Sequence, residues 1–418
     1  MSAPAPPLEE GERARGRFLA IASHPAGNTF RHVFTQQLPT LALVALGASE
    51  LQVGLQGSFI FAFVALQLPT LRALPRVSKR GILVGAHLFA LATALPLVFF
   101  DRLAELPQGT AVALAQLSFA LVAIGHCVGE TVWFPLLYAY LDRENTGRFF
   151  GVLRTGWHLA LILFFAASQW WLARHPGDFA PLFAFAWGLG LARTFLIVRM
   201  PERREPAGER IRVRDALALA RAPLLRRYLA TTAWGHACRV TATVFGLVMI
   251  RRAVGLSDGD AVGASIAFYA GGLASLVLWG RIVDRAGALP VLRVTAVGKG
   301  LVLALLAMAP ASAFSAEWIA LWFFGLSALS AGFGVADTHW LFELTPAEAP
   351  AATIVIGAVG VGVAAGVAPI VAGAGLDLLL PADPAGALPV YRGFFAVLAG
   401  LQALACLPTF GLAALRKA

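Results

Sequence analysis

The feature that most constrains this chain is a series of long apolar blocks nearly free of charge. Leu38 to Gly47, Val53 to Leu71, Gly81 to Phe100 and Ala111 to Tyr140 open the series, and similar blocks continue along the chain. A helix needs roughly 20 apolar residues to cross the hydrocarbon core of a bilayer, at about 1.5 Å per residue. A buried strand of a soluble sheet is far shorter. Charge decides between a membrane and a soluble core. Only 13% of the residues are charged, against about 25% in a soluble domain, too few to cover a water-exposed body of 418 residues. The blocks are also rich in Gly and Ala, which let helices pack closely in lipid. The expected fold is therefore an all-α polytopic membrane protein.

By length, about twelve spans are expected, near 27–48, 51–71, 81–100, 110–140, 149–172, 179–199, 228–250, 261–280, 290–310, 316–341, 351–375 and 391–414. Six precede a basic stretch and six follow it. The organisation this implies is a tail (1–26), a six-helix bundle (27–199), a basic linker (200–227), a second six-helix bundle (228–414) and a short end (415–418). The opening MSAPAPPLEEGERARGRF is Pro-rich and charged, without the apolar run of a signal peptide, and is expected to be an unstructured cytosolic tail.

The basic stretch, Arg199 to Arg227, fixes an orientation if it is cytosolic. Alternating loops then put Arg72, Arg76, Lys79, Arg80, Arg143, Arg148, Arg281, Arg285, Arg293, Arg416 and Lys417 inside. Outside are Arg102, Arg174, Arg251, Arg252 and Arg392. This excess of basic residues on one side is the positive-inside pattern. Membrane orientation thus accounts for the net charge of +10, and no nucleic-acid partner is expected. Both termini are expected in the cytosol, and the plasma (inner) membrane is the expected location.

Several chemistries find no support. Cys127, Cys238 and Cys406 lie in three distant apolar blocks, without metal spacing or a disulfide framework, and read as small apolar filler. No phosphate-binding G-x-x-x-x-G-K-[ST] loop, H-E-x-x-H pair or G-x-S-x-G elbow occurs. An enzyme, a metal and a cofactor are therefore not expected.

The two halves resemble each other. VGETVWF (Val128 to Phe134) returns as VADTHWL (Val335 to Leu341), with Glu130 over Asp337, Thr131 over Thr338 and Trp133 over Trp340, at an offset of 337 − 130 = 207. Arg31 and Arg239 are separated by 239 − 31 = 208, and Gly47-Ala-Ser49-Glu50 matches Gly255-Leu-Ser257-Asp258 at the same 208. Ser49 and Ser257 each precede a span, with Gln52 and Asp260 three residues on. That spacing predicts capping boxes for the orphan N–H groups of spans two and eight.

With its six-plus-six split around a basic loop, the chain resembles a transporter of the major facilitator superfamily over essentially its whole length. One local motif supports this. WGRIVDRAG, between spans eight and nine, carries Gly280, Asp284, Arg285 and Gly287. It is similar to the family's cytosolic Gly-x-x-x-Asp-Arg/Lys-x-Gly-Arg/Lys-Arg/Lys, except that Ala288 and Leu289 replace the closing basic pair. The matching loop of the first half, LRALPRVSKRG, keeps basic residues but lacks the Gly and Asp. DRENTGRFFG, between spans four and five, resembles another family loop. Span five lacks the Gly-Pro-rich motif of many drug antiporters. The resemblance implies two pseudo-symmetric six-helix bundles, a plan of parallel repeats. It also implies that Asp284 helps hold cytosolic helix ends together in one state of the cycle; an ordinary loop salt bridge is the plainer reading.

Ionisable residues inside a span are costly and are candidates for function. Spans one, four, seven and ten line the central cavity in the family. That implies one charge from each helix there: Arg31, Glu130, Arg239 and Asp337, as two ion pairs. Arg31 and Arg239 can instead snorkel, since they lie in the inner half of their spans. His126 shares a helical face with Glu130, either as a proton relay or as a packing hydrogen bond. His236 shares a face with Arg239. Gln36 and Gln37 are both polar in an apolar span, and one of them is expected to face the cavity. Trp133 and Trp340 read as aromatic walls for a ligand or as plain packing. Arg193 and Lys299 read as snorkelling groups or interhelical ties. In span eleven, Gly362, Gly366 and Pro369 suggest close packing or a gating helix.

The expected function is secondary active transport of a small polar or anionic solute by alternating access, in a monomer, with proton coupling through Glu130 and Asp337. Two alternatives stand beside it: a non-transporting protein of the same fold acting as assembly factor, sensor or scaffold, and efflux of drugs or amphiphiles.

Overall fold

In this computed structural model, residues 8–73, 77–141, 146–202, 221–345, 350–381, 383 and 386–410 are described. Arg76, most of the basic linker, the loop at 142–145, Pro346, Arg416 and Lys417 lie outside them. The described residues form helices without strands. In chain order these are α1 (Glu10–Thr35), α2 (Gln37–Ala45), α3 (Glu50–Ala62), α4 (Gln67–Ala73), α5 (Lys79–Val98), α6 (Phe100–Ala104), α7 (Gln108–Tyr138) and α8 (Thr146–Arg174). Then follow α9 (Ala180–Val198), α10 (Pro223–Met249), α11 (Asp258–Ala286), α12 (Ala288–Met308), α13 (Ala316–Leu344), α14 (Pro350–Leu379) and α15 (Ala387–Leu404). Among the described residues, eleven helical segments are long and apolar enough to cross a membrane. The first expected span is built differently, as α1 and α2 broken at Gln36, whose backbone lies outside the helical region (φ −120°, ψ −121°).

Local chemistry sets the helix ends. The Ser257 hydroxyl accepts from the Asp260 N–H at 3.1 Å while the Asp260 carboxylate accepts from the Ser257 N–H, also at 3.1 Å. Ser49 and Gln52 repeat the box at 2.8 and 3.3 Å. Both satisfy orphan donors that lipid could not. Ser78 and Ser315 cap α5 and α13, and Pro stands in the first turn of α9 and α10, where its missing N–H costs nothing. Gly287 ends α11 at φ +81°, with its N–H returned to Val283. A side chain at that angle would be strained.

The tail expected over 1–26 is helical from Glu10 onward. Gly16, Leu19, Ala20, Ser23, His24 and Gly27 recur every three or four residues and are buried, giving α1 a continuous inward face despite its charged outer one. Gly16 lies flat against the Tyr140 ring, where a Cβ would come within 2.5 Å. The Arg17 guanidinium donates to the Tyr140 carbonyl at 3.0 Å.

The chain divides into two compact units. The first comprises Met1–Ala48, Phe63–Ser168 and Gly177–Arg210; the second comprises Ser49–Ala62, Gln169–Pro176 and Ile211–Ala418. In the first, α1 packs on α7 and α9, and α5 packs on the same two helices. Leu83, Val132, Trp133, Leu136, Leu137 and Ile197 belong to its buried cluster. In the second, α11 packs on α13, α12 on α13 and α15, and α14 on α3 and α10. Tyr228, Leu292, Phe333 and Trp340 belong to its cluster. Indole N–H groups tie helices to backbone carbonyls: Trp187 to Leu91 at 2.8 Å, Trp279 to Ala328 at 2.8 Å and Trp322 to Val302 at 2.7 Å.

The second unit also holds a polar knot at the start of α3. The buried Glu50 carboxylate accepts from Arg252 at 2.5 Å and from the Tyr391 hydroxyl at 2.7 Å. The Asp377 carboxylate, from the end of α14, accepts from the Glu50 and Leu51 N–H groups at 2.8 and 3.1 Å. It caps α3 from 327 residues away in sequence. Along the same seam Gly54 and Gly373 bring backbone onto backbone: a Cβ on Gly54 would lie 2.2 Å from the Pro369 carbonyl oxygen, and one on Gly373 2.4 Å from that of Glu50.

Candidate functional site

In the first unit, His24, Gly27, Asn28 and Arg31 share one face of α1 by their three- and four-residue spacing. From this face the Arg31 guanidinium reaches Glu130 on α7 at 3.3 Å, with the two side chains 28% and 23% exposed. The pair is a single contact rather than the stronger bidentate fork. One turn along α7, Trp133 stacks on His24 with ring centroids 5.6 Å apart and planes 4° from parallel. Arg193 of α9 stands over the same indole, 4.9 Å from the ring centroid. Gly27 makes room for it: a Cβ there would come within 1.9 Å of the Arg193 Cδ and of a guanidinium nitrogen.

In the second unit, His236 Nε2 of α10 lies 3.0 Å from Asp337 Oδ2 of α13. The buried Lys299 ammonium stands 3.8 Å from the Phe333 ring centroid and donates to the Gly235 carbonyl at 3.3 Å. Gly235 lies against Phe333, where a Cβ would come within 2.3 Å of the ring. Arg239 has no carboxylate partner among the described residues.

The two arrangements repeat. Gly27 and Gly235, Arg31 and Arg239, and Thr35 and Thr243 are each separated by 208 (235 − 27, 239 − 31, 243 − 35). Thr35 and Thr243 each donate to the carbonyl of the arginine one turn before, at 2.7 and 2.9 Å. Each unit seats a buried cation over an aromatic ring, Arg193 over Trp133 and Lys299 over Phe333. Each interior group sets two cations against one carboxylate: Arg31 and Arg193 with Glu130, Arg239 and Lys299 with Asp337.

Several expectations from the sequence change here. His126 does not pair with Glu130. Its ring packs on Phe30 and His87, at 5.2 and 5.8 Å between centroids, and its Nε2 has no hydrogen-bond partner. Asp337 pairs with His236 rather than with Arg239. Trp133 and Trp340 are each 1% exposed and fill the interior beside His24 and Tyr228; an indole sealed by helices on every side offers no wall to a solute. Gln37 is buried at the head of α2, and Gln36 sits half-buried at the break. Arg193 and Lys299 are 3% and 1% exposed, so neither snorkels; both are interior cations. Gly280 lies within α11 and Gly287 ends it, whereas Asp284 and Arg285 are exposed and make no ion pair among the described residues. The three cysteines are buried and unpaired with one another. Among the described residues no group of His, Cys, Asp and Glu is placed to hold a metal ion.

The sequence matches the family profile of the Major Facilitator Superfamily over residues 29–341. No curated protein matches it. Solved structures share the fold at low identity. A point mutant of the nucleoside transporter NupG superposes with a TM-score of 0.72 at 13% identity, over 96% of this chain and 100% of that one. A bacterial homologue of the human lysosomal transporter Spinster, inward-facing and occupied, gives 0.71 at 13%, over 96% and 97%. A POT family transporter in complex with 5-aminolevulinic acid gives 0.70 at 11%, over 94% of each chain.

Proposed function

Since the chain belongs to the major facilitator superfamily, and so is an integral membrane protein of a transporter family, we propose that it carries out secondary active transport of a small solute bearing an anionic group. The observation that carries this is the charge imbalance in each unit's interior, two cations to one carboxylate. Uncompensated charge is costly in a membrane span. A solute carboxylate or phosphate relieves that cost at Arg239, which has no carboxylate of its own among the described residues. Arg31, held by one contact to Glu130, is the matching anchor in the first unit. The solute is exchanged across the plasma membrane by alternating access in a monomer, with both termini cytosolic.

Glu130 and Asp337 then serve as coupling groups, each carrying a proton in one half of the transport cycle. Replacing either with its amide is expected to abolish proton-driven accumulation while sparing exchange.

The test is uptake of carboxylates and phosphate esters by proteoliposomes, beside sugars and organic cations. The expected result is flux of an anion above that of empty vesicles, lost in Arg239→Ala although the variant keeps its unliganded melting temperature. Flux of neutral or cationic solutes alone, unchanged by that substitution, refutes the proposal.

A further inference from the structure

Arg193 is the least explained charge in the first unit. It lies within a membrane span and is 3% exposed. Among the described residues no carboxylate pairs with it, and its Nε has no hydrogen-bond partner. It is nevertheless closely held, by the Trp133 ring below it and by the bare backbone of Gly27 beside it. Glu130 projects from the same helix as Trp133, one turn before it. It therefore faces the neighbourhood of two guanidiniums, Arg31 from α1 and Arg193 from α9, and currently contacts Arg31 alone.

We propose that Glu130 is shared between these two arginines, and that Arg193 is the positioning residue that receives it when an anionic solute takes over Arg31. The inference rests on the anionic-solute reading above. Here Glu130 neutralises Arg31 and the Trp133 face tempers Arg193. Once a solute anion pairs with Arg31, Glu130 would be stranded in a low-dielectric interior, where an unpaired carboxylate is costly. Turning to Arg193 leaves every charge of the group paired: solute with Arg31, Glu130 with Arg193. The rigid seat of Arg193 suits this role, because a receiver already ordered loses little freedom when its partner arrives. His24 and Asn28 pin the α1 side of the group, the Asn28 amide bonding the His24 carbonyl at 3.1 Å and lying 3.0 Å from its Nε2.

The first experiment needs no solute. Melting temperatures of the purified full chain are compared for Arg31→Ala, Arg193→Met, the double variant, and the double variant carrying Glu130→Gln. Each single variant leaves Glu130 one arginine; the double variant leaves none. The expected result is a loss in the double variant larger than the sum of the single losses, recovered by Glu130→Gln. Additive losses, or no recovery, assign Arg193 to packing on Trp133 and overturn the proposal. The second experiment measures binding of benzoate and of inorganic phosphate. Arg193→Met is expected to weaken binding about thirtyfold or more, and Arg193→Lys to restore most of it. Wild-type binding that Arg193→Met leaves unchanged also overturns the hand-over. A wild-type protein that binds neither probe overturns the anionic-solute reading instead, and the stability cycle then decides alone whether Glu130 is shared.

Discussion

Gly27→Ala is the most informative single substitution on α1, because its sign depends on a second residue. In isolation the change favours the helix by about 1 kcal/mol, since glycine is the poorer helix former. In this chain the new methyl group would sit 1.9 Å from Arg193 Cδ and from a guanidinium nitrogen. A surface arginine would swing aside at small cost. Arg193 is closed in on all sides and its Cδ is mid-chain, so the whole side chain or the α1–α9 spacing must give. Overpacking of this kind costs about 1–3 kcal/mol. Displacement from the Trp133 face removes a desolvated cation–π contact of up to about 2 kcal/mol. The losses reach ~1–5 kcal/mol against a gain of ~1, so the net effect runs from near zero to ~4 kcal/mol and centres on ~2 kcal/mol of destabilisation. The assay is thermal unfolding in detergent, in two backgrounds. In the wild type Gly27→Ala is expected to lower the melting temperature. In an Arg193→Ala background the obstacle is gone, and the same substitution is expected to raise it. Equal effects in both backgrounds would show that Gly27 is not there for Arg193.

The polar knot at α3 gives two further expectations. Glu50→Ala removes the buried carboxylate that accepts from both Arg252 and Tyr391 and is expected to destabilise by about 3–5 kcal/mol; Tyr391→Phe removes one hydrogen bond and is expected to cost about 1–3 kcal/mol; thermal unfolding ranks them, and equal losses would contradict the shared carboxylate. Asp377→Ala uncaps α3 and is expected to cost about 0.5–2 kcal/mol, read as faster hydrogen exchange at the Glu50 and Leu51 amides; unchanged exchange would remove Asp377 as the cap. Asp284→Asn, at an exposed position without an ion pair among the described residues, is expected to shift stability by less than about 0.5 kcal/mol while slowing flux; a large stability loss would mean that the carboxylate has a structural partner.

What was legible in the sequence followed from local rules. Span length made the helices readable, serine and acid spacing placed the box at Ser257 and Asp260, and the 208-residue offset paired Arg31 with Arg239. The helix over 10–26 was hidden because its outer face is rich in Arg and Glu; the small residues Gly16, Ala20, Ser23 and Gly27 form the inner face, and hydropathy gives such residues little weight. The break at Gln36 has Pro39 three residues on, whose missing N–H and ring stop the helix from running straight through past Thr35; counting span length alone passes over it. The repeat, which sets Asp337 over Glu130 and Arg239 over Arg31, suggests two like ion pairs. In the second half His236 stands where the first has Asn28 (236 − 28 = 208), and it reaches Asp337 instead. Glu50 stands in the first turn of α3, a common place for an acid. Its partners, Arg252, Asp377 and Tyr391, come from more than 200 residues away, and no periodicity reports a contact of that range. The sequence leaves Arg193 as a snorkelling group or an interhelical tie, because depth along a span can be counted, whereas the direction of a side chain around it cannot.

At Gly54 and Gly373 the seam between α3 and α14 sets bare backbone against backbone. Where Gly54 and Gly373 meet the opposing backbone, no side chains interlock, and the directed bonds of the knot gather at the Glu50 and Asp377 end. Such a joint works like a clasp on a polished rail. While the clasp is shut, shape alone keeps the rail aligned. Once it opens, the bare stretches at these two glycines have no teeth to lift over one another. Mechanical control of this pair of helices is therefore concentrated in four polar side chains at one end.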